Sequence, residues 1–359
     1  MDGLLRPELF ELSSYKVPDA RGCVKLDAME NPYPWPQEMV VAWLDKLRHC
    51  QPNRYPDPSA LALKKAIIGC NNVPPDKEVL LGNGSDEIIQ IILMAIAGKD
   101  ATVVSPEPSF VMYKQIASVL GLRYIGVPLT PDSFQLDMDV MAEVLAKEKP
   151  AVVFLAYPNN PTGNLFDQQD ILEILRLAPG LVVIDEAYAP FAGASFMDCL
   201  PRFDNLLVMR TVSKLGLAGL RLGFLAGGKA WLEQLDKIRL PYNINVLTQV
   251  SAEFALENFS VFEKQTRSIR EDREKLFAEL SGDSRITVFP SQANFLLFRV
   301  DGFDADGIFS FLKEHGVLIK NMNPAGGLVK NCLRVTVGTA DENHRFMSEI
   351  SRALTVLGG

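Results

Sequence analysis

The chain has 359 residues, which is more than a single ordinary core of about 100 to 200 residues holds, so we expect two domains or one large domain with an appendage. Its hydrophobic fraction of 48% and charged fraction of 22% are typical of a globular protein that folds in water. The net charge is −8, and Lys and Arg are scattered rather than clustered. This argues against nucleic acid and against anionic membrane surfaces as partners, and it fits a cytoplasmic enzyme.

No segment predicts a membrane span or a targeting signal. The most apolar run, from Ile88 to Gly98, is shorter than the roughly 20 residues that cross a bilayer, and it contains Gln90. The first residues lack the basic-then-apolar pattern of a signal peptide. The five cysteines and three histidines are widely spaced along the chain. We therefore expect reduced thiols, no disulfide framework and no metal site.

The sequence changes character twice, which predicts three regions. Residues 1–44 are rich in proline and predict an extended N-terminal arm that packs on the small domain or on a partner subunit. Residues 45–245 alternate short apolar runs with helical patterns and predict a large domain. Residues 246–359 combine long amphipathic helices, expected from about Thr248 to Leu280, with a few strand-like runs, and predict a smaller α+β domain.

The large domain is predicted to be an α/β fold with a mostly parallel sheet. Several of its expected strands are continuous apolar runs, which indicates strands covered by helices on both faces. These strands are Glu78 to Leu81, Ala101 to Ser105, Arg123 to Pro128, Ala151 to Ala156, Leu181 to Ile184, Leu206 to Met209 and Leu222 to Ala226. In the small domain we expect strands at 286–289, 294–300, 317–320 and 332–337, and helices at 305–315 and 341–357.

Polar clusters follow four of the strands in the large domain. They are Gly82 to Glu87, Pro158 to Gly163, Asp185 to Tyr188 and Thr211 to Lys214. Ligands of an open parallel sheet bind beyond the carboxyl ends of its strands. We therefore expect the four clusters to converge on one crevice.

Lys214 is the first candidate for covalent chemistry. Ser213 places a hydroxyl directly before it, a run of glycines and apolar residues follows it, and Arg221 comes seven positions later. An amine surrounded by apolar and backbone groups has a lowered pKa and becomes a usable nucleophile. Because most lysines are surface residues, this interpretation depends on what the other clusters supply.

The other clusters offer the groups that bind a phosphorylated pyridine. Gly82 to Glu87 joins a strand to a helix, where backbone N–H groups and the helix dipole can face an anion. The segment 158–163 is held by two prolines and can donate amides, and Asp185 places a carboxylate at the mouth of a strand with the Tyr188 phenol three residues later. Each cluster alone also has a structural explanation as a turn, a rigid loop or a cap. Together with a desolvated lysine they make up what pyridoxal 5'-phosphate (PLP) requires.

These motifs resemble those of a known family. GNGSDE (82–87), PNNPTGN (158–164), DEAY (185–188) and RTVSKLGLAGLRLGF (210–224) are similar in order and spacing to the fold type I PLP-dependent aminotransferases over nearly the whole chain. Within that superfamily the chain looks most like the histidinol-phosphate aminotransferases. The closer likeness lies in KLDAMENPYP (25–34), RYPD (54–57), SPEPSFVMY (105–113), SQANFLLFR (291–299) and NCLRVTVGT (331–339).

The resemblance implies a role for each matching residue. Lys214 is expected to form the Schiff base with PLP, and Asp185 to pair with the pyridine nitrogen; with Tyr188 these are the expected catalytic residues. The other cofactor contacts that it implies are Asn160 and Tyr188 at the phenolate oxygen, Phe110 on the ring, and Ser85, Asp86, Ser213 and Arg221 at the phosphate.

It also implies a second subunit and a substrate pocket. Tyr55 is expected to reach the phosphate from a partner chain, which makes the protein a homodimer with shared sites. Arg334 is expected to receive the anionic end of the substrate, with Tyr15 and Lys320 lining the same pocket and Asn31 on the arm that closes over it. Two features depart from the family: the segment from Lys214 to Arg221 is one residue shorter than in many aminotransferases, and Lys320 stands where arginine is often found.

The activity implied is amino transfer between L-histidinol phosphate and 2-oxoglutarate through PLP, by a ping-pong mechanism. One alternative on the same scaffold is an aromatic amino-acid aminotransferase, since Phe110, Tyr15 and Tyr33 could surround an aromatic ring. Another is a decarboxylase of an amino-acid phosphate. A non-catalytic PLP-binding regulator is disfavoured because the chain has no appended DNA-binding module. The fold does not choose between the first two, because specificity lies in a few pocket residues.

Overall fold

The computed structural model describes Phe10, residues 18–96, Gly98 and residues 101–358. The strands of this part are β1 (Val24–Lys25), β2 (Glu78–Gly82), β3 (Thr102–Glu107), β4 (Arg123–Pro128), β5 (Val152–Ala156), β6 (Leu181–Asp185), β7 (Leu206–Thr211), β8 (Gly223–Gly227), β9 (Ile286–Val288), β10 (Phe295–Val300), β11 (Val317–Leu318), β12 (Lys320–Asn321) and β13 (Cys332–Thr336). Its α-helices are α1 (Gln37–Leu47), α2 (Leu61–Cys70), α3 (Gly84–Ala95), α4 (Val111–Leu120), α5 (Met138–Glu148), α6 (Gln168–Leu177), α7 (Lys229–Asp236), α8 (Val246–Glu257), α9 (Phe259–Ser281), α10 (Ala305–Glu314) and α11 (Ala340–Val356).

The large sheet is the framework on which the candidate site is built. It has seven strands in the order β2-β8-β7-β6-β5-β3-β4. The neighbours from β7 to β4 are parallel, whereas β8 runs antiparallel to both β2 and β7. Each apolar run expected to form a strand of this sheet does so, and the predicted fold class of a mostly parallel α/β sheet is confirmed.

Alternate residues of the central strands enter two different cores, one on each face of the sheet. In β5, Val153 and Leu155 belong to a cluster that includes residues of α2, α5, α6 and α8, whereas Val152 and Phe154 belong to a cluster with residues of α3 and α4. Every residue of β5 and β6 is buried. Burial on both faces explains why these strands are continuous apolar runs in the sequence.

A second, antiparallel sheet has the order β12-β13-β10-β9 and its own hydrophobic cluster. Leu26 and Met29, which follow β1, belong to that cluster, and β1 pairs in parallel with β11. The division of the chain at residues 44/45 and 245/246 stays a prediction, and helix α1 spans the first of these positions. Among the described residues, no helix has both the length and the apolarity needed to cross a membrane.

The prediction of one continuous strand at 317–320 is wrong. The chain forms β11 and β12 instead, separated by the buried Ile319. The break arises because β11 pairs in parallel with β1, whereas β12 pairs antiparallel with β13 in the other sheet. The change of partner matters for the site, since it places Lys320 directly opposite Arg334.

Candidate active site

The carboxyl ends of the parallel strands open onto one cavity of ≈ 120 Å³. All four polar clusters line it, since strands β2, β5, β6 and β7 end at the same edge of the sheet. The cavity brings together these predicted site residues: Ser85, Asp86, Phe110, Asn160, Asp185, Tyr188, Ser213, Lys214 and Arg221.

Lys214 lies in a short helical turn, Ser213–Leu217, directly after β7. Its Nζ donates a hydrogen bond to the backbone oxygen of Ala28, at 2.9 Å. Burial lowers the pKa of the Lys214 amine from 10.5 to about 8, and the positive charge of Arg334 also lowers it. An amine with this pKa is partly neutral near pH 8, which suits both a nucleophile and a proton acceptor.

Asp185 is the last residue of β6 and is buried at the base of the cavity. Its Oδ2 accepts a hydrogen bond from the Tyr113 hydroxyl at 2.7 Å, and its Oδ1 accepts one from the Ala187 N–H at 3.1 Å. Burial raises the pKa of Asp185 to about 6, although both hydrogen bonds oppose the rise. A cation placed beside this carboxylate would favour its charged form.

The opposite end of the cavity is suited to a phosphate. Ser85 and Asp86 lie in the first turn of α3, where backbone N–H groups have no acceptor within the helix. The Arg221 guanidinium lies 3.4 Å from the Asp86 carboxylate and 3.5 Å from the Ser213 hydroxyl. Gly84 allows this approach, since a Cβ there would meet Arg221 Nη2 at 2.7 Å. The short segment between Lys214 and Arg221 therefore still brings Arg221 into the cavity.

Asn160 lies on the side of the cavity, in a loop held by its buried neighbour Asn159. The Asn159 Nδ2 donates to Thr162 Oγ1 at 2.7 Å and to the Pro108 oxygen at 3.0 Å. These hydrogen bonds fix the loop that presents Asn160.

Two aromatic residues border the same cavity. Tyr188 is buried and meets the Phe295 ring edge-on, with centroids 5.2 Å apart. Phe110 meets the Tyr113 ring in the same manner at 5.5 Å. Rings packed in this way have defined orientations.

Two cationic residues lie beside the cavity. Arg334, on β13, is buried; it donates to the Asn160 side-chain oxygen and, at 3.1 Å, to the Asp27 backbone oxygen. Its guanidinium lies over the Phe295 ring, 5.2 Å from the centroid. Lys320 lies opposite Arg334 on β12. Burial lowers the pKa of the Lys320 amine, and the positive charge of Arg334 lowers it further. This pair makes a cationic corner next to Asn160.

Two further predicted residues, Tyr55 and Asn31, lie away from the cavity. Tyr55 is 80% exposed and stacks on Tyr242, with ring centroids 4.4 Å apart. Asn31 donates to the Leu215 backbone oxygen and to Gln265 Oε1, both at 2.9 Å, so its side chain ties the arm to the Lys214 turn and to α9. Tyr15 lies outside the described residues.

The structure adds residues that the sequence interpretation missed. Met29 lines the cavity, Tyr113 holds Asp185, and the Ala28 carbonyl accepts from Lys214. The spacing of three between Phe110 and Tyr113 at the start of α4 could have indicated that both face the same way. A backbone carbonyl leaves no signal in the sequence.

The residues present fit PLP. An amine with a lowered pKa, a buried carboxylate and an anion cradle lie in one cavity, and each has the chemistry that one part of the cofactor needs. Residues 21–350 match the sequence model of the family described as aminotransferase class I and II. The class of the protein is thereby defined: it is a PLP-dependent aminotransferase.

Similar proteins show to which family of aminotransferases the chain belongs. The chain is 55% identical to histidinol-phosphate aminotransferase 2 of Nitrosococcus oceani, covering 96% of each chain, and 50% identical to histidinol-phosphate aminotransferase 1 of Ralstonia nicotianae, covering 98% of this chain and 94% of the relative. The fold is also that of histidinol-phosphate aminotransferase from Sinorhizobium meliloti, solved in complex with PLP, with a TM-score of 0.87 over 99% of this chain and 98% of that one at 22% identity. The chain belongs to the histidinol-phosphate aminotransferase family.

Proposed function

We propose that the protein transfers an amino group between L-histidinol phosphate and 2-oxoglutarate by a ping-pong mechanism. The observation that carries the choice of substrates is the cationic corner formed by Arg334 and Lys320 beside the cavity. A phosphate in one half-reaction and a carboxylate in the other can both bind there, because a guanidinium pairs with either anion through two parallel hydrogen bonds.

The predicted site residues that line the cavity each have a proposed part in binding. When bound, PLP supplies an electron sink that stabilises negative charge on the substrate carbon that loses its proton. Asp185 accepts the N–H of the pyridine ring, and Asn160 and Tyr188 donate to the phenolate oxygen. Ser85, Asp86, Ser213 and Arg221 hold the phosphate end, and Phe110 covers the ring. The family membership and the convergence of these side chains on one cavity support these roles.

Lys214 is the proposed nucleophile, general base and general acid. Its Nζ removes the proton from the amine-bearing carbon of the substrate and delivers a proton in the second part of each half-reaction. A pKa of about 8 matches this work, since a base and acid operate best when their pKa lies near the working pH. The Ala28 carbonyl, 2.9 Å from Nζ, orients the amine while it is free.

A substrate panel tests the proposed reaction. With glutamate as donor, imidazole acetol phosphate is expected to be used with a kcat/KM about 100-fold or more above that of phenylpyruvate, because phenylpyruvate lacks the phosphate that the cationic corner binds. Equal or greater efficiency with phenylpyruvate would instead identify an aromatic amino-acid aminotransferase. Stoichiometric release of carbon dioxide from an amino-acid phosphate would identify a decarboxylase.

We also propose that two copies of the chain form a homodimer with shared sites. Large apolar side chains near Tyr55 are exposed in the single chain, among them Leu61 at 68% and Leu240 at 71%. A second copy of the chain would cover them and would bring Tyr55 to the phosphate end of the partner's cavity.

Light scattering is expected to give about twice the 39.7 kDa mass of one chain. Tyr55→Phe should weaken PLP binding about tenfold, as expected for a lost hydrogen bond to a phosphate. The control Tyr242→Phe removes a hydroxyl from the ring stacked on Tyr55 and should leave PLP binding unchanged. A monomeric mass would contradict the shared site. So would a Tyr55→Phe variant that binds PLP as tightly as the wild type.

We also propose that the chain is divided into three regions. We assign residues 1–44 to the arm, 45–245 to the large domain and 246–359 to the small domain; first cuts by limited proteolysis in the middle of the large sheet would contradict this.

All five cysteines are free, which supports a reducing compartment and hence the cytoplasm. Recovery of the protein outside the cells that make it would contradict that location.

A further inference from the structure

Tyr113 is a buried residue in the first turn of α4 whose hydroxyl reaches the candidate site. The hydroxyl donates to Asp185 Oδ2 at 2.7 Å, and the side chain has no exposed surface. The ring stacks on Phe154 of β5 with centroids 4.7 Å apart and an interplanar angle of 11°, and the Phe110 ring meets it edge-on. The two rings leave the phenol one orientation, in which its hydroxyl points at the carboxylate.

The two hydrogen bonds to Asp185 fix the plane of its carboxylate. Tyr113 holds Oδ2, and the Ala187 N–H holds Oδ1 at 3.1 Å. A carboxylate oxygen accepts more than one hydrogen bond, so each oxygen keeps acceptor capacity after these contacts. Asp185 lines the cavity, and this remaining capacity is therefore available to a donor inside it.

We propose that Tyr113 is a positioning residue for the cofactor: its hydroxyl holds the Asp185 carboxylate ionised and oriented so that the carboxylate accepts the ring N–H of PLP. The inference rests on the proposed role of Asp185 at the ring nitrogen. Tyr113 itself touches Asp185 and acts only through it.

The surroundings of Asp185 favour its protonated form, so a hydrogen-bond donor is needed to keep the carboxylate charged. Burial raises the pKa of Asp185 most, and the negative charges of Asp86 on α3 and of Glu186, the next residue, raise it further. The Tyr113 hydrogen bond is the largest effect in the opposite direction. Burial, with the charge of Asp185 and the neighbouring Tyr188 and Tyr124, raises the pKa of Tyr113 well above 10, so the hydroxyl keeps its proton and stays a donor.

Loss of the hydroxyl should move the shared proton. Without the Tyr113 donor the carboxylate binds a proton more tightly, so the proton lies more on Asp185 and less on the ring nitrogen. The ring then carries less positive charge near the nitrogen of Lys214. A proton on that nitrogen is less strongly repelled, and its pKa in the PLP-bound protein rises.

The test is Tyr113→Phe in the holoenzyme, because phenylalanine keeps both ring contacts and removes only the hydroxyl. We expect PLP to bind about tenfold more weakly, as for one lost hydrogen bond to a charged group. The pH midpoint of the visible absorbance change of the lysine-bound cofactor should shift upward, and kcat should fall about tenfold with KM for glutamate within about twofold.

Tyr124→Phe is the matched control. It removes the hydroxyl of a largely buried phenol on the adjoining strand β4, whose hydrogen bond goes to Ser105 at 2.6 Å rather than to Asp185. It should leave the absorbance midpoint and the affinity for PLP unchanged. An equal midpoint shift in both phenylalanine variants would show a general effect of removing a buried hydroxyl and would overturn the proposal.

Asp185→Asn, alone and combined with Tyr113→Phe, completes a double-mutant cycle. In the Asp185→Asn background the hydroxyl has no carboxylate to hold, so Tyr113→Phe should change PLP affinity by less than twofold. Additive losses would overturn the inference, as would a wild-type midpoint in Tyr113→Phe. If Tyr113→Phe does not fold, the same titration is made on Tyr113→His, because histidine retains a ring donor. An absorbance midpoint displaced as far as that of Asp185→Asn would overturn the role of Tyr113. A smaller displacement would support that role. If Asp185→Asn itself alters neither affinity nor midpoint, the proposed cofactor site is wrong rather than the role of Tyr113 alone.

Discussion

Replacement of Lys214 by alanine is expected to lower kcat by on the order of 10⁴-fold or more, because this one side chain is the proposed nucleophile, general base and general acid. PLP should still bind, since the proposed phosphate contacts from α3, Ser213 and Arg221 would not depend on the lysine. The measurement is single-turnover amino transfer from glutamate, followed by the visible absorbance of the cofactor.

Lys229→Ala is the matched control for this prediction. Lys229 begins α7 and is 65% exposed, so its loss removes an amine without touching the cavity. Its kcat should remain within about twofold of the wild type, as for most surface substitutions. Full activity in Lys214→Ala would contradict the central assignment.

Replacement of Arg334 by alanine is expected to lower kcat/KM in both half-reactions by about 100-fold to 1,000-fold, the usual size for loss of a buried charged partner. The same guanidinium is proposed to bind the phosphate of one substrate and the carboxylate of the other. Arg334→Lys should recover only part of the loss, because an ammonium lacks the forked geometry of the guanidinium.

Arg299→Ala tests whether such losses come merely from the small sheet. Arg299 lies on the neighbouring strand β10, donates to the Leu328 backbone oxygen at 3.1 Å and stacks on Phe289, outside the cavity. It should change thermal stability more than kcat/KM. A loss in Arg334→Ala confined to the glutamate half-reaction would show that phosphate and carboxylate do not share a pocket.

The fold could be predicted from the sequence because its central strands are buried on both faces. A run such as Val152 to Ala156 has no polar position, and this is the pattern of a covered parallel strand. Strands β11 and β12 were harder to predict, because each is two residues long and β11 pairs with β1, which is distant in the chain. The short run 317–320 carries no sign that its pairing partner changes at Ile319.

The candidate site was predictable where polar residues stand at or just after the end of a strand, as with Asp185 and Lys214. The contacts that tune these residues were not, because they come from other elements: Tyr113 reaches Asp185 from α4, and the Ala28 carbonyl reaches Lys214 from the arm. Sequence spacing cannot show a backbone acceptor 186 positions away. The proposed contact of Tyr55 with the cofactor phosphate would come from a second chain and is likewise not encoded in local pattern.

The most direct test of the central claim is to locate the lysine that carries the cofactor. The holoenzyme is reduced with borohydride, which makes the linkage between the cofactor and its lysine permanent, and the digested protein is mapped by mass spectrometry. We predict a cofactor adduct on the peptide that contains Lys214, and none on the peptide that contains Lys320. An adduct on another lysine, or no adduct in a protein that has bound PLP and transfers amino groups, would contradict it.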